Sequence, residues 1–269
     1  MDDESLYKKI QEAMENIPDN FNILEEQIDV DLQIAYFDFA KEFREKEDFN
    51  LYLGLKDGLY DPLTDLETRK KILVSLASSS EVESFRAIEQ YLKNPDKELK
   101  DWTILALQES RMLMHSVLLD EQQVFISTGL GGKGKKLRYF VVFLNKSGGE
   151  LTEMQKKLLH DELKYALEQN EGELEELSSM IDFTTATVVI PIKAPLKDVF
   201  EGIIDECNQF GDFLQDDMVI TNVKKLNPFE IVELLNNKRT SDKLGFDYNP
   251  DDSEESGEPE GDEDDDEQS

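Results

Sequence analysis

Apolar residues recur at helical spacing through the first 118 positions, and compact β-branched and aromatic runs replace them after about position 120. Residues 5–17, opened by Ser5-Leu6-Tyr7, form an amphipathic run that Pro18 stops. From Asn20 a second run carries Leu24, Ile28, Leu32, Tyr36, Phe39 and Phe43 on one helical stripe, and these are predicted core positions. Residues 50–62, with Gly54, Gly58 and Pro62, read as a turn-rich connection. Three further helices are predicted over 65–78, 81–92 and 97–117, the last two separated by the helix-breaking Asn94-Pro95-Asp96. Trp102 lies at the start of the third, one turn before Ala106, and is expected to pack inside.

Residues 123–128 and 138–144 are strand-like, and the glycine-rich link between them predicts a hairpin. A long helical region follows from Thr152, whose spacing to Gln155 suits a capping box. Residues 184–192 then read as a strand, Pro195 opens a helix to about 210, residues 218–223 form the last strand, and Asn227-Pro228 starts a short helix. The unalternating runs Val141-Val142-Phe143-Leu144 and Val188-Val189-Ile190 predict strands covered on both faces or central in the sheet, and Pro191 ends the second, whose C-terminal end is expected at an edge or leaving the sheet. The order β-β-α-β-α-β-α describes a small α/β sandwich with one sheet behind an all-α front, an α+β chain. Boundaries follow at 1–118, 120–240 and 241–269. In the last segment Leu244, Phe246 and Tyr248 are the final residues able to pack, and 251–269 are expected to be disordered because acidic, apolar-poor chain cannot offset its ordering entropy.

Within the front half, Leu73-Val74-Ser75-Leu76 and Ile104-Leu105-Ala106-Leu107 fall on one pattern, 31 positions apart. On those residues the stretch 65–117 resembles HEAT-type helical repeats. The resemblance implies antiparallel helix pairs stacked into an arc that offers a surface to another protein. The period is shorter than the roughly 40–47 residues of that class, and an irregular helical bundle is the alternative.

Charge narrows the function classes. The 269 residues carry a net charge of −32; the tail from Asp251 holds 12 of the 61 acids and no base, leaving 49 acids against 29 bases elsewhere. Such a field repels phosphate backbones, so generic nucleic-acid binding needs a local basic patch. The acidic start and the lack of a long apolar run point to a cytoplasmic chain with no membrane partner. A single cysteine, Cys207, excludes an internal disulfide and reads as a small core residue. With only His115 and His160 beside it, no metal spacing and no nucleophile–base pattern occur, so no catalytic residue, metal or cofactor is called for. Asp216-Asp217 read as a turn. In the tail, Asp252, Glu254, Ser256, Gly257 and Glu263 imitate a calcium loop, without flanking helices.

The one dense basic spot is the run from Gly129 to Arg138, where Gly129, Gly131, Gly132 and Gly134 alternate with Lys133, Lys135, Lys136 and Arg138 and no acid intervenes. Gly129 to Lys135 match the start of a phosphate-binding loop, yet Lys136 stands where Ser or Thr is needed and a strand follows where a helix is needed. Two readings stay open for these eight residues. One is a flexible hairpin connection; the other is a contact for phosphate, for RNA or a ribosome, or for the chain's own acidic tail. The expected function is that of a non-enzymatic adaptor or scaffold binding another protein of unspecified identity, with an RNA- or ribosome-associated factor as the alternative. Oligomeric state is not encoded in any of these patterns.

Overall fold

The structure, a computed structural model, describes residues 17, 20–119, 124–146 and 149–244. The stripe predicted as a helix from Asn20 begins as a strand: β1 (Phe21–Ile23) pairs in parallel with β2 (Val124–Ile126), Phe21 opposite Val124 and Ile23 opposite Ile126. The helix α1 (Val30–Lys46) starts only where Asp29 caps it, the carboxylate accepting from the amides of Asp31 at 2.9 Å and Leu32 at 3.3 Å. Leu24 and Ile28 still reach the core, from backbone that is neither helix nor strand.

Downstream come α2 (Phe49–Leu53), a 3-10 turn at Lys56–Leu59, α3 (Leu66–Ala77), α4 (Val82–Leu92) and α5 (Lys100–Leu119). The last three match the predicted helices, Asp65 capping α3 and a 3-10 turn at Lys97–Leu99 leading into α5. They pack pairwise on one another, and α1 packs on α3 and α5. Both related segments, Leu73–Leu76 on α3 and Ile104–Leu107 on α5, are buried. Trp102 is inside, edge-on to Tyr36 at 5.0 Å and to Phe39 at 5.3 Å between centroids. The Tyr36 hydroxyl donates to Glu109 Oε2 at 2.6 Å, and Arg44 donates to Glu109 and to the Ser78 hydroxyl, so the carboxylate ties α1 to α5 and the guanidinium ties α1 to the end of α3. Burial, with the neighbouring carboxylate, pushes the Tyr36 phenol well above its ordinary range.

The sheet contains β3 (Gly132–Lys133), β4 (Lys136–Asn145), β5 (Glu173–Ser179), β6 (Phe183–Pro191) and β7 (Leu214–Thr221). The long strands lie in the order β5-β6-β4-β7, all neighbours antiparallel. With α6 (Glu153–Gln169) after β4 and α7 (Leu196–Asn208) after β6, the connectivity is β-α-β-β-α-β, the ferredoxin-like arrangement. Leu159, Leu163 and Leu167 of α6 and Phe200, Ile203 and Cys207 of α7 join Tyr139, Val141, Phe143, Val188 and Ile190 in one core. The alternate residues Phe140, Val142, Leu144 and Val189 are buried as well, so β4 and β6 are covered on both faces as their unbroken apolar runs predict. The Thr152–Gln155 capping box is formed, and Pro195 stands immediately before α7.

Three sequence expectations are corrected here. The hairpin predicted between 123–128 and 138–144 does not form: β2 is taken by β1, and the partner turning back onto β4 is the two-residue β3. The helix predicted onward from Thr152 ends at Gln169, and the acid-rich Glu173–Ser179 is a strand. Its Leu174 and Leu177, three apart as on a helix, both pack on the core because a register shift between Leu174 and Glu176 inserts an extra residue between them. The last strand starts at Leu214, where Asn208 exchanges two hydrogen bonds of 2.9 Å with the Leu214 backbone, so Asp216 and Asp217 lie within β7 and not in a turn.

Residues 17–225 fall within one compact unit, and 226–244 belong to a second. The second carries α8 (Pro228–Leu244), longer than the short helix expected. Asn227 and Glu230 cap it reciprocally, side chain to amide in each direction, at 3.0 and 2.8 Å. The amphipathic run before Ile17, Phe246, Tyr248, the acidic stretch 251–269 and its calcium-like pattern lie outside the described residues. Among the described residues no helix is long and apolar enough to cross a membrane.

Because β1 continues directly into Leu24, adjacent side chains of one segment enter the sheet core and the helical core. Ile23→Ala and Leu24→Ala are each expected to cost about 2–4 kcal/mol. Urea denaturation followed by both tryptophan fluorescence and far-UV circular dichroism should show one coincident transition in each variant. Separate transitions for the two probes would show that the segment does not couple the cores.

Candidate functional site

The basic glycine run is packed against its neighbours over its first half. Gly129 to Gly132 are buried, and Lys133, Gly134 and Lys135 at the tip are exposed. A Cβ on Gly129 would overlap the Val223 carbonyl, and one on Gly131 would overlap the carbonyl oxygens of Glu25 and Glu26. Gly131 also has φ +65, in the left-handed region. Gly134, with φ +61 and open space around it, sits first in the two-residue turn between β3 and β4, where the type II′ geometry selects glycine.

The amides of this run donate to the protein's own oxygens. Leu130 donates to Asn222 O at 3.0 Å, Gly131 to Thr128 O at 3.2 Å, Gly132 to Glu25 O at 3.3 Å and Gly134 to Glu25 Oε1 at 2.8 Å. The cations are engaged in the same way. Arg138 forms a two-pronged pair with Glu175 at 2.6 and 2.9 Å and donates to Leu130 O at 2.7 Å; Lys133 pairs with Glu173 at 2.6 Å. Lys135 Nζ stands 5.5 Å from the Phe21 ring centroid, and Lys136 sits in the ladder opposite Lys133 and Pro191. The Lys133 ammonium holds the Glu173 carboxyl below its usual range, and Glu175 raises Arg138 further. The eight residues singled out by sequence are thus brought together as a clasp joining residues 25–26, the sheet and residues 222–223. A phosphate approaching the Gly134 amide, Lys133 or Arg138 would compete with Glu25, Glu173 or Glu175.

The other residues with chemical potential do not converge. His160 is exposed beside Asp161, Cys207 is fully buried, and among the described residues no three His, Cys, Asp or Glu side chains stand where they would hold a metal ion. Burial pushes the Cys207 thiol up to about 12 and the Tyr139 phenol up to about 12, so both are neutral.

A surface that the periodicity did not mark lies on the helical half. A groove of about 190 Å³ is floored by Phe39 and Phe43, whose rings stack at 6.4 Å, and rimmed by Glu42, Lys46, Glu47, Glu67 and Lys71. Tyr52, edge-on to Phe43 and donating to Glu47 at 2.8 Å, connects the groove to the segment that follows. There Leu51, Leu55, Tyr60 and Leu63 point to solvent, Leu63 at 91% exposure, and the Lys56–Glu83 pair brings exposed Val82 alongside. The signal was present in the sequence: a turn-rich connection that carries leucine after leucine departs from the polar composition expected of a loop.

No protein-family model matches the chain, and no curated protein matches it. Among solved structures, a chain from Deinococcus radiodurans described as a candidate transposase is similar over 40% of this chain and 94% of its own, with 18% identity and a TM-score of 0.34. A likeness of that degree bears on neither activity nor partners.

Gly129→Ala and Gly131→Ala are expected to lower stability by about 3 kcal/mol or more through overlap with backbone, and Gly134→Ala by only about 1 kcal/mol through its positive φ. Thermal melts of the three variants check the order. For Cys207, the stability contributed by keeping the thiol buried is full below its ordinary value of 9.0 and is lost as pH rises toward about 12, because the unfolded chain ionises first. Iodoacetamide at pH 8 should therefore leave the native chain unmodified and add one label after denaturation, read by intact mass.

Proposed function

We propose that this chain is a non-enzymatic interaction protein that docks another protein through its helical half, the α/β half serving as a second module. The HEAT-like pattern of residues 65–117 belongs to the same proposal. The observation that carries it is the set of outward apolar side chains Leu51, Leu55, Tyr60 and Leu63, none of which belongs to the helical core. The scattered histidines and neutral Cys207 and Tyr139 favour a binding role over acid–base or nucleophilic chemistry. The RNA- or ribosome-associated alternative relies on the basic run, and the engagement of its amides and of Lys133 and Arg138 weighs against it.

A photo-reactive amino acid placed separately at Leu63 and at Lys135 in the full-length chain, activated in cells, distinguishes the two. Discrete protein adducts from position 63 and none from 135 are expected. An RNA adduct from 135 would replace this reading with the nucleic-acid one, and an absence of adducts from both positions would end it.

A further inference from the structure

The outward leucines and the Phe39–Phe43 groove differ in chemistry, and their union specifies a partner more narrowly than either does alone. Between Glu47 and Glu67 the chain carries six acids, at 47, 48, 57, 61, 65 and 67, against the single base Lys56. The exposed side chains of Leu51, Leu55, Tyr60 and Leu63 are therefore set in a negative field that would repel an acidic apolar partner and attract a basic one. Inside the groove, Glu42, Glu47 and Glu67 face only Lys46 and Lys71. Lys46 is committed to Glu42 at 2.6 Å and Lys71 to Glu47 at 2.7 Å, which leaves Glu67 with a longer share of Lys71 at 3.5 Å. One more cation would complete the set, and the half-buried Phe39 ring in the groove offers apolar surface to the aliphatic stem of a lysine or arginine.

We infer that this surface is a docking site for a basic amphipathic segment of a partner protein. A lysine or arginine of the partner enters the groove beside Glu67, and its apolar side chains cover Leu51, Leu55 and Leu63. The inference rests on the protein-binding reading above and adds the chemistry of the partner.

The test uses the full-length chain and two fluorescent peptides, one amphipathic helix of leucine and lysine and a second with every lysine replaced by glutamate. Anisotropy titrations are expected to show salt-sensitive binding of the lysine peptide and none of the glutamate peptide. The decisive variant is Leu51→Asp with Leu63→Asp, at positions exposed enough to leave folding unchanged by circular dichroism. If the leucines contribute, its affinity falls by about tenfold although the surface has become more negative. Glu67→Gln should weaken binding less. If the Asp variant binds as tightly as the parent or more so, only bulk charge attraction is at work and the inference is overturned. Lack of binding to the parent overturns it too. Should that happen while position 63 still yields protein adducts in cells, the basic chemistry fails and the interaction reading stands.

Discussion

The segment from Phe21 to Ile28 is the constraint on which the rest of the larger unit depends. A two-stranded parallel pair of three residues a side is too short to persist alone. It persists because Phe21 and Ile23 enter the sheet core while Leu24 and Ile28 enter the helical core, and because the Leu24 amide extends the pairing to Ile126 O at 3.0 Å. The next residues then determine the neighbouring loop. The carbonyls of Glu25 and Glu26 approach Gly131 so closely that no side chain fits, and the Glu25 carboxylate receives the Gly134 amide. Sterics fix the glycines, and the glycines fix the clasp.

Charge works locally against its own global trend. The chain is strongly acidic, yet its densest basic run is matched to Glu25, Glu173 and Glu175 at hydrogen-bonding distance. The Arg138–Glu175 pair, two-pronged and partly shielded from solvent, has the geometry in which such a contact is strong; the exposed Lys133–Glu173 pair contributes little to stability. Rigidity in the clasp thus comes from packed glycines and committed amides more than from ion pairs. The wider consequence is that the excess of negative charge lies elsewhere on the chain.

Helices whose apolar stripes met one continuous core were legible to within a few residues: α3, α4, α5, α6 at its capped start, and α7. The central strands β4 and β6 were legible because burial on both faces leaves unbroken apolar runs. What escaped was set by distant pairing. Leu24 and Ile28 keep a helical spacing whether or not their backbone is helical, and only Val124–Ile126, a hundred residues away, decides that 21–23 is a strand. Leu174 and Leu177 imitate a helix because a bulge shifts their phase. The glycine run was recognisable as unusual, but its close backbone crossing was not, since that depends on Glu25 and Val223, each far from it in sequence or contributed by another element.

The same logic explains why the outward leucines stand apart. Leu59 lies in the middle of their segment and is buried in the helical core, while Leu55 and Leu63, four residues to either side, are exposed. The segment therefore has its anchor, and local backbone hydrogen bonds hold the tight turns from Asp57 to Thr64. Arg69 further secures this stretch by donating to Asp61 O at 2.7 Å while pairing with Asp96. Solubility alone would place polar side chains at 51, 55 and 63, because leucines on an anchored, rigid surface add exposed apolar area and no fold stability. A rigid apolar surface also loses little conformational entropy when covered, the property that makes such a surface efficient in binding.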